Sequence, residues 1–274
     1  MASLDLNNYT NHDNPNRNIA LKIEYEGTRY MGFQFQPDHP TIQGELEKAI
    51  YKLTGNEIRV RGASRTDSGV HALGQVVDVL IKCPYPVSTI HRALNHYLPK
   101  DIRIHNTYEM TASFHSRKDA IRRTYRYSIL NQPEPSPIRR STHHWLSENI
   151  DCRKMSQAAE DLIGTHDFRH ISKGLAPEKS AVREVFNWSI SRQDELITIE
   201  CEATGFLRQQ IRRANAILIE IGKNNWPETA IKDTLEDNFK KGKTHSILPA
   251  QGLCLTQVTY RNFFDKVIDG YETN

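Results

Sequence analysis

The stretch Ala63-Ser64-Arg65-Thr66-Asp67-Ser68-Gly69-Val70-His71-Ala72 lies between two segments with strand character. The apolar run that follows, from Val76 to Ile81, predicts a strand buried on both faces. Asp and Gly are typical turn residues, because Asp hydrogen-bonds the downstream backbone and Gly accepts positive φ. The composition alone therefore favours a plain turn, on a loop held by buried strands. His71, just after the turn, is expected to hold the loop by hydrogen bonds rather than to act as a base.

Strand and helix patterns alternate on both sides of this loop. Alternating apolar residues from Ile19 to Tyr25 predict a strand, and helical spacing from Ile42 to Leu53 predicts a helix capped by Thr41 and ended by Gly55. A hairpin and mixed elements in both halves predict an α+β fold, a largely antiparallel mixed sheet flanked by helices and built as two similar α/β halves. The later elements are helices after Ser88, after Asp151, over 206–221 and from Pro227, and strands at 58–60, 102–104, 125–129, 185–190, 197–201 and 253–258.

The composition is that of an ordinary globular protein. Of 274 residues, 38% are hydrophobic and 25% are charged, and no apolar run is long enough to span a membrane. Residues 1–17 are polar and rich in Asn; without the apolar stretch of a signal peptide, they predict a disordered tail on a cytoplasmic protein. The four cysteines lie far apart with no C-x-x-C pair, which predicts reduced thiols and no zinc site.

Positive charge is concentrated locally. The net charge of +3 says little about nucleic acid binding. Two basic groups lie among aromatic residues and predict a phosphate-binding surface, with ordinary solvated faces as the alternative. The first group is Arg117, Lys118, Arg122, Arg123 and Arg126, and the second is Arg208, Arg212 and Arg213.

The loop around Asp67 carries a longer signature. It resembles Gly-Arg-Thr-Asp-x-Gly-Val-His, the active-site motif of the TruA family of tRNA pseudouridine synthases, with Ser64 where glycine is usual. Phe33 stands where Trp is frequent, and Gln209 and Gln210 stand where many members have His and Met. The resemblance continues in order along the chain through 25–34, 41–46, 74–76, 94–99, 114–117, 125–127, 205–212 and 249–253.

The resemblance implies a reaction that needs one carboxylate. Family members break the bond between ribose C1′ and uracil N1, turn the base and rejoin it through C5. Because this isomerisation involves no redox change and no energy input, we expect neither a metal nor a nucleotide cofactor. Glycoside hydrolases usually need two carboxylates to activate water, whereas here the base recaptures the sugar. Asp67 is the implied nucleophile; the sequence leaves open whether it attacks C1′, attacks C6 or removes a sugar proton.

The resemblance also implies roles for residues around Asp67. Arg212 matches the family's Arg on the late helix and is expected to pair with Asp67, because a buried carboxylate needs a cation to stay ionised. Tyr125 matches the active-site Tyr, expected to stack on uracil and to accept or relay the C5 proton. Arg65 is expected to displace the target nucleotide from its stack, with a phosphate contact as the alternative. The predicted substrate-binding residues are Arg65, Tyr125, Arg117, Arg123 and Arg126.

The implied architecture places the active-site cleft between two halves. Residues 18–115 carry the loop of Asp67, and residues 116–270 complete the cleft and the RNA-binding surface. The family implies a homodimer that binds the anticodon stem-loop of tRNA at about positions 38, 39 and 40, although recognition by shape leaves little trace in sequence. Three alternatives stay open: a pseudouridine synthase acting on other tRNA positions, a noncatalytic RNA-binding protein, and a nucleoside or glycoside hydrolase with a second carboxylate.

Overall fold

A computed structural model describes residues 16–237 and 246–273. Most of the predicted tail, residues 1–15, lies outside these ranges; at its end, Arg17 is already the first residue of a strand. The strands are β1 Arg17–Tyr25, β2 Arg61–Gly62, β3 His71–Ile81, β4 Ile102–Met110, β5 Ala120–Asn131, β6 His144–Leu146, β7 Gly164–Asp167, β8 Val182–Gln193, β9 Leu196–Ala203, β10 Leu253–Tyr260 and β11 Val267–Glu272. The α-helices are α1 Ile42–Thr54, α2 Val87–Tyr97, α3 Cys152–Ala159, α4 Gln210–Gly222 and α5 Ala230–Leu235.

The strands of the described residues form one sheet. Its order is β11-β4-β1-β3-β10-β5-β9-β8-β7, with β2 paired to β3 and β6 paired to β5. The pairs β10 with β3 and β6 with β5 are parallel, and the other pairs are antiparallel. The predicted fold class, an α+β protein with a largely antiparallel mixed sheet flanked by helices, is confirmed.

The first half of the chain is built around β3. This strand lies against β1, which in turn pairs with β4. The run predicted to be buried, from Val76 to Ile81, is buried except at Leu80, which is 43% exposed near the end of the strand. Helix α1 begins after Thr41, whose Oγ1 accepts from the Gly44 amide, and it ends at Gly55 with φ +73°, so both predicted caps are confirmed. The strand predicted at 58–60 is shorter and later, because only Arg61 and Gly62 pair with β3.

The second half continues the sheet with β5, β9, β8 and β7. Strands β8 and β9 form the predicted hairpin, turning at Asp194 with φ +52°. Helix α4 starts at Gln210 rather than at Phe206, because Gln209 has φ +62° and this left-handed backbone cannot continue a right-handed helix. Helices α3 and α4 pack on each other, and α3 packs on β8.

The last strands return to the first half. Strand β10 lies between β3 and β5, and β11 pairs with β4 at the far edge. The sheet therefore runs unbroken across the division proposed between residues 115 and 116, and that division stays a prediction. Within residues 16–237 and 246–273, no helix combines the length and apolar character needed to cross a bilayer.

Close approach of two backbones marks the junction between β3 and β10. A Cβ atom added to Gly74 would lie 2.3 Å from the carbonyl oxygen of Thr256 and 3.2 Å from Cα of Gln257. Because both obstacles are backbone atoms, no side-chain rotation can relieve the clash. The junction accordingly requires glycine at position 74.

We expect Gly74→Ala to lower the free energy of unfolding by about 1–3 kcal/mol, the usual cost of overpacking. Urea denaturation measures the change. Gly205→Ala is the matched control, because a Cβ there meets no atom within 4 Å and the backbone lies outside the positive-φ region. If Gly74→Ala were as stable as Gly205→Ala, the two strands could separate without cost and the junction would not constrain the fold.

Candidate active site

The loop between β2 and β3 turns sharply at Asp67. The Val70 amide donates to the Asp67 carbonyl at 3.1 Å, and Gly69, the third residue of the turn, has φ +78°. This is the arrangement of a type II turn, which requires positive φ at that position. The turn predicted from composition is confirmed, and it holds Asp67 at its first corner.

Hydrogen bonds from the end of β1 and from the segment that follows it hold this turn in place. The Tyr25 hydroxyl and Thr66 Oγ1 lie 2.8 Å apart in the interior. The Phe33 amide donates to the Thr66 carbonyl at 3.1 Å, and the Gly69 amide donates to the Tyr30 carbonyl at 3.3 Å. Because Phe33 contributes its backbone here, this contact does not depend on the Trp found in other family sequences.

His71 joins the same loop to the C-terminal part of the chain. Its Nδ1 accepts from the Gly27 amide at 3.0 Å, so the ring proton belongs on Nε2, which donates to the Gln251 carbonyl at 3.1 Å. Both ring nitrogens are thus occupied by backbone groups. The loop-holding role predicted for His71 is confirmed.

An ion pair connects the two halves of the chain at Asp67. Arg212 Nη1 lies 3.4 Å from Asp67 Oδ2, across 145 residues of sequence, and Arg212 Nε donates to the Leu248 carbonyl at 2.7 Å. The Arg212 side chain is 12% exposed and the Asp67 side chain 29% exposed. Burial lowers the pKa of Arg212, and the charge of Asp67 opposes that shift. The carboxylate therefore keeps a cationic partner and an opening to solvent.

Tyr125 lies in β5 with its hydroxyl at the same site. The oxygen is 2.8 Å from Ser64 Oγ, and the ring meets Phe206 edge-on at 5.5 Å between centroids. Burial raises the pKa of Tyr125 well above its usual range, the Ser64 hydrogen bond opposes this shift, and the charge of Asp67 adds to it. The residue is 4% exposed. Its ring is covered, and a uracil can stack on it only if neighbours such as Phe206 move.

A buried amide fixes Ser64 beneath Tyr125. The Ser64 amide donates to Gln75 Oε1 at 3.2 Å, and Gln75 Nε2 donates to the Ser64 carbonyl at 2.6 Å. Gln75 is fully buried, so this pair of bonds is shielded from water. Sequence reasoning missed the contact between Ser64 and Tyr125. The sequence did offer a sign of this contact: Ser64 has a hydroxyl, whereas the glycine usual at this position of the motif has none.

Two of the arginines predicted to bind substrate lie elsewhere. Arg123 is 8% exposed, and its guanidinium is occupied by four backbone carbonyls, so it holds the interior together instead of meeting phosphate. Arg126 alternates with Tyr125 along β5 and therefore lies on the opposite face of the sheet, where it pairs with Glu200 at 2.8 Å. The carbonyls bound by Arg123 belong to Ala63, Arg117, Ala120 and Thr204, at 2.8–3.2 Å.

Two other predicted arginines remain available. Arg65 and Arg117 are exposed, and in the described part of the chain neither guanidinium has a hydrogen-bond or carboxylate partner. The Lys118 side chain, beside Arg117, is also exposed and has no such partner in the described part of the chain. Across the described ranges, no cluster of three or more His, Cys, Asp or Glu side chains is placed to hold a metal ion.

Comparison with known proteins covers nearly the whole site. A family model described as tRNA pseudouridine synthase matches residues 22–119 and 158–261, which include Asp67 and Arg212. The tRNA pseudouridine synthase A 2 of Clostridium tetani is 38% identical over 246 residues, spanning 89% of this chain and 99% of the relative. The tRNA pseudouridine synthases A of Thermoanaerobacter sp. and Acetivibrio thermocellus are 38% and 37% identical, each over 89% of this chain and 100% of the relative. This chain, in which Asp67 pairs with Arg212, therefore belongs to the tRNA pseudouridine synthase family.

Proposed function

We propose that this isomerase converts uridine to pseudouridine in the anticodon stem-loop of tRNA, with Asp67 as the nucleophile. The observation that carries the proposal is the pairing of Asp67 with Arg212 at the corner of a tightly held turn. Arg212 places a positive charge beside the carboxylate that the proposal makes the nucleophile. Its partial exposure leaves room for a ribose to approach.

The geometry also supports separate roles for the two nearest side chains. Arg212 holds one oxygen of Asp67 through Nη1, while its Nε is anchored on the Leu248 carbonyl. Tyr125 carries a protonated hydroxyl near Asp67, so it can take up the C5 proton after the base has rejoined only by passing its own proton on. Ser64 Oγ lies 2.8 Å away to receive that proton. Arg65 lies two residues before Asp67, and within residues 16–237 and 246–273 its guanidinium has no partner, which suits a residue that enters the RNA stack.

Target and assembly complete the proposal. We expect uridines at about positions 38, 39 and 40, whose glycosidic bonds become reachable only when the nucleotide leaves its stack. We expect a homodimer in which one subunit supplies catalysis and the other helps to hold the L-shaped tRNA.

The cysteines are unpaired, which is the usual state in a reducing compartment and supports a cytoplasmic location. Mapping pseudouridine in tRNA from cells lacking the protein tests reaction and target together.

We expect Asp67→Asn to abolish pseudouridine formation while tRNA affinity changes little, because the amide keeps the shape and loses the nucleophilic charge. Conversion of tRNA transcripts measures activity, and filter binding measures affinity. Asp161→Asn, which removes a carboxylate outside the site, is the control and should react like the wild type. Conversion above background by pure Asp67→Asn protein would show that another group is the nucleophile.

We expect Arg212→Met to shift the acidic limb of the pH–rate profile to higher pH. Without its cation the carboxylate binds a proton more readily, so activity is lost below a higher pH and recovers in part as the medium becomes alkaline. A shift of one pH unit corresponds to about a tenfold lower rate on the acidic limb. Arg213→Met, on the same helix, is the control. An unchanged profile for Arg212→Met would exclude this arginine as the charge partner.

We expect the Ser64 hydroxyl to act through Tyr125. Ser64→Ala should lower kcat about fivefold, the effect of one hydrogen bond of about 1 kcal/mol, and leave KM unchanged. In a Tyr125→Phe enzyme, which keeps tRNA binding but slows loss of the C5 proton, the same change should have no further effect. Ser68→Ala, in the same loop, is the control. Equal effects of Ser64→Ala in both backgrounds would mean that the two hydroxyls act independently.

A further inference from the structure

A hollow opens beside the Asp67 loop, on the side of Arg65. Its cavity volume is about 540 Å³. Phe33 and Val60, both buried, form its floor together with Gly62. Exposed Arg65, Arg117 and Lys118 stand at its rim. The hollow is a neighbour of the site already described, because neither Asp67 nor Tyr125 nor Arg212 lines it.

The hollow has an excess of positive charge. Arg61, which also lines it, is neutralised by the buried carboxylate of Asp78, and Asp78 further accepts from the Ser116 amide at 2.9 Å. The three rim cations have no such partner in the described residues, and no carboxylate is among the lining side chains. Three uncompensated cations around a partly apolar floor suit an anionic ligand with a flat apolar part, such as a nucleotide.

The position of Arg65 sets the distance to the reacting carboxylate. Two residues of extended chain span at most about 7 Å, so Arg65 and Asp67 are that close along the loop. A single RNA strand that delivers a uridine to Asp67 must therefore pass the rim of the hollow within one nucleotide. Arg65 lies between Asp67 and the hollow.

We propose that this hollow holds the nucleotide next to the target uridine in the same RNA strand. Its phosphate lies against Arg117 and Lys118, and its base leaves the stack and rests over Gly62. The exposed amide of Gln34, which has no partner in the described residues, faces the same hollow and can hydrogen-bond a base edge. Arg65 then separates two unstacked nucleotides. This inference rests on the proposed function and assigns a second nucleotide subsite to it.

The experiment places 2-aminopurine, a base whose fluorescence rises on unstacking, directly 5′ or directly 3′ of the target uridine in a tRNA transcript. Wild-type protein should raise the fluorescence at one of these two positions. The double variant Arg117→Gln, Lys118→Gln should lose that rise. It should also lower the slope of log affinity against log salt by about 0.7, because both side chains face one phosphate and each phosphate neutralised on a single strand contributes about 0.7.

The matched control is the double variant Arg122→Gln, Arg126→Gln, which removes two nearby charges paired with Glu202 and Glu200 instead of lining the hollow. It should keep both the fluorescence rise and the salt slope. No rise at either position with wild-type protein, or equal losses in the two double variants, would overturn the subsite. Pseudouridine formation in unlabelled transcript is measured in parallel. Its absence with wild-type protein would instead overturn the proposed function.

Discussion

The parallel pairing of β10 with β3 is the constraint on which the site depends. The pairing closes the sheet between the two halves of the chain, and it places Thr256 so near Gly74 that no side chain fits. Strand β5 follows β10 in the sheet, which brings Tyr125 beside the loop that precedes β3. A wider junction would separate Asp67 from both Tyr125 and Arg212, since these two residues come from the second half.

Successive side chains of β5 point to opposite faces of the sheet, and the two faces have different roles. Tyr125 and Tyr127 lie on the buried face, where the Tyr127 hydroxyl donates to the Pro249 carbonyl at 2.9 Å. Arg122 and Arg126 lie on the outer face and pair with glutamates of β9. One strand thus supports the site with its inner residues and stabilises the sheet through its outer ones. A basic run in sequence is therefore not a basic surface in space.

Local patterns predicted most of the fold, and long-range contacts account for what they missed. Thr41 and Gly55 bound a helix because capping is decided within a few residues. The turn at Asp67 was predictable for the same reason. The burial of Arg123 was not, because its carbonyl partners come from separate parts of the chain, up to 81 residues away. The ion pair of Asp67 with Arg212 was predictable only through family resemblance, because the two residues are 145 positions apart and no local pattern connects them.

The reaction proposed for this site needs one carboxylate, whereas most glycoside hydrolases need two. A glycoside hydrolase holds a second carboxylate within about 5–9.5 Å of the first, so that one activates water or protonates the leaving group. In the described residues, Asp67 is the carboxylate that contacts Arg212, and the Tyr125 hydroxyl contacts a serine instead of an acid. These contacts supply the proposed isomerisation with one carboxylate beside a cation and with one hydroxyl beside another hydroxyl. In the isomerisation proposed above, the departing base recaptures the sugar. The Ser64 hydroxyl, 2.8 Å from that of Tyr125, is the partner that we propose for passing on the C5 proton.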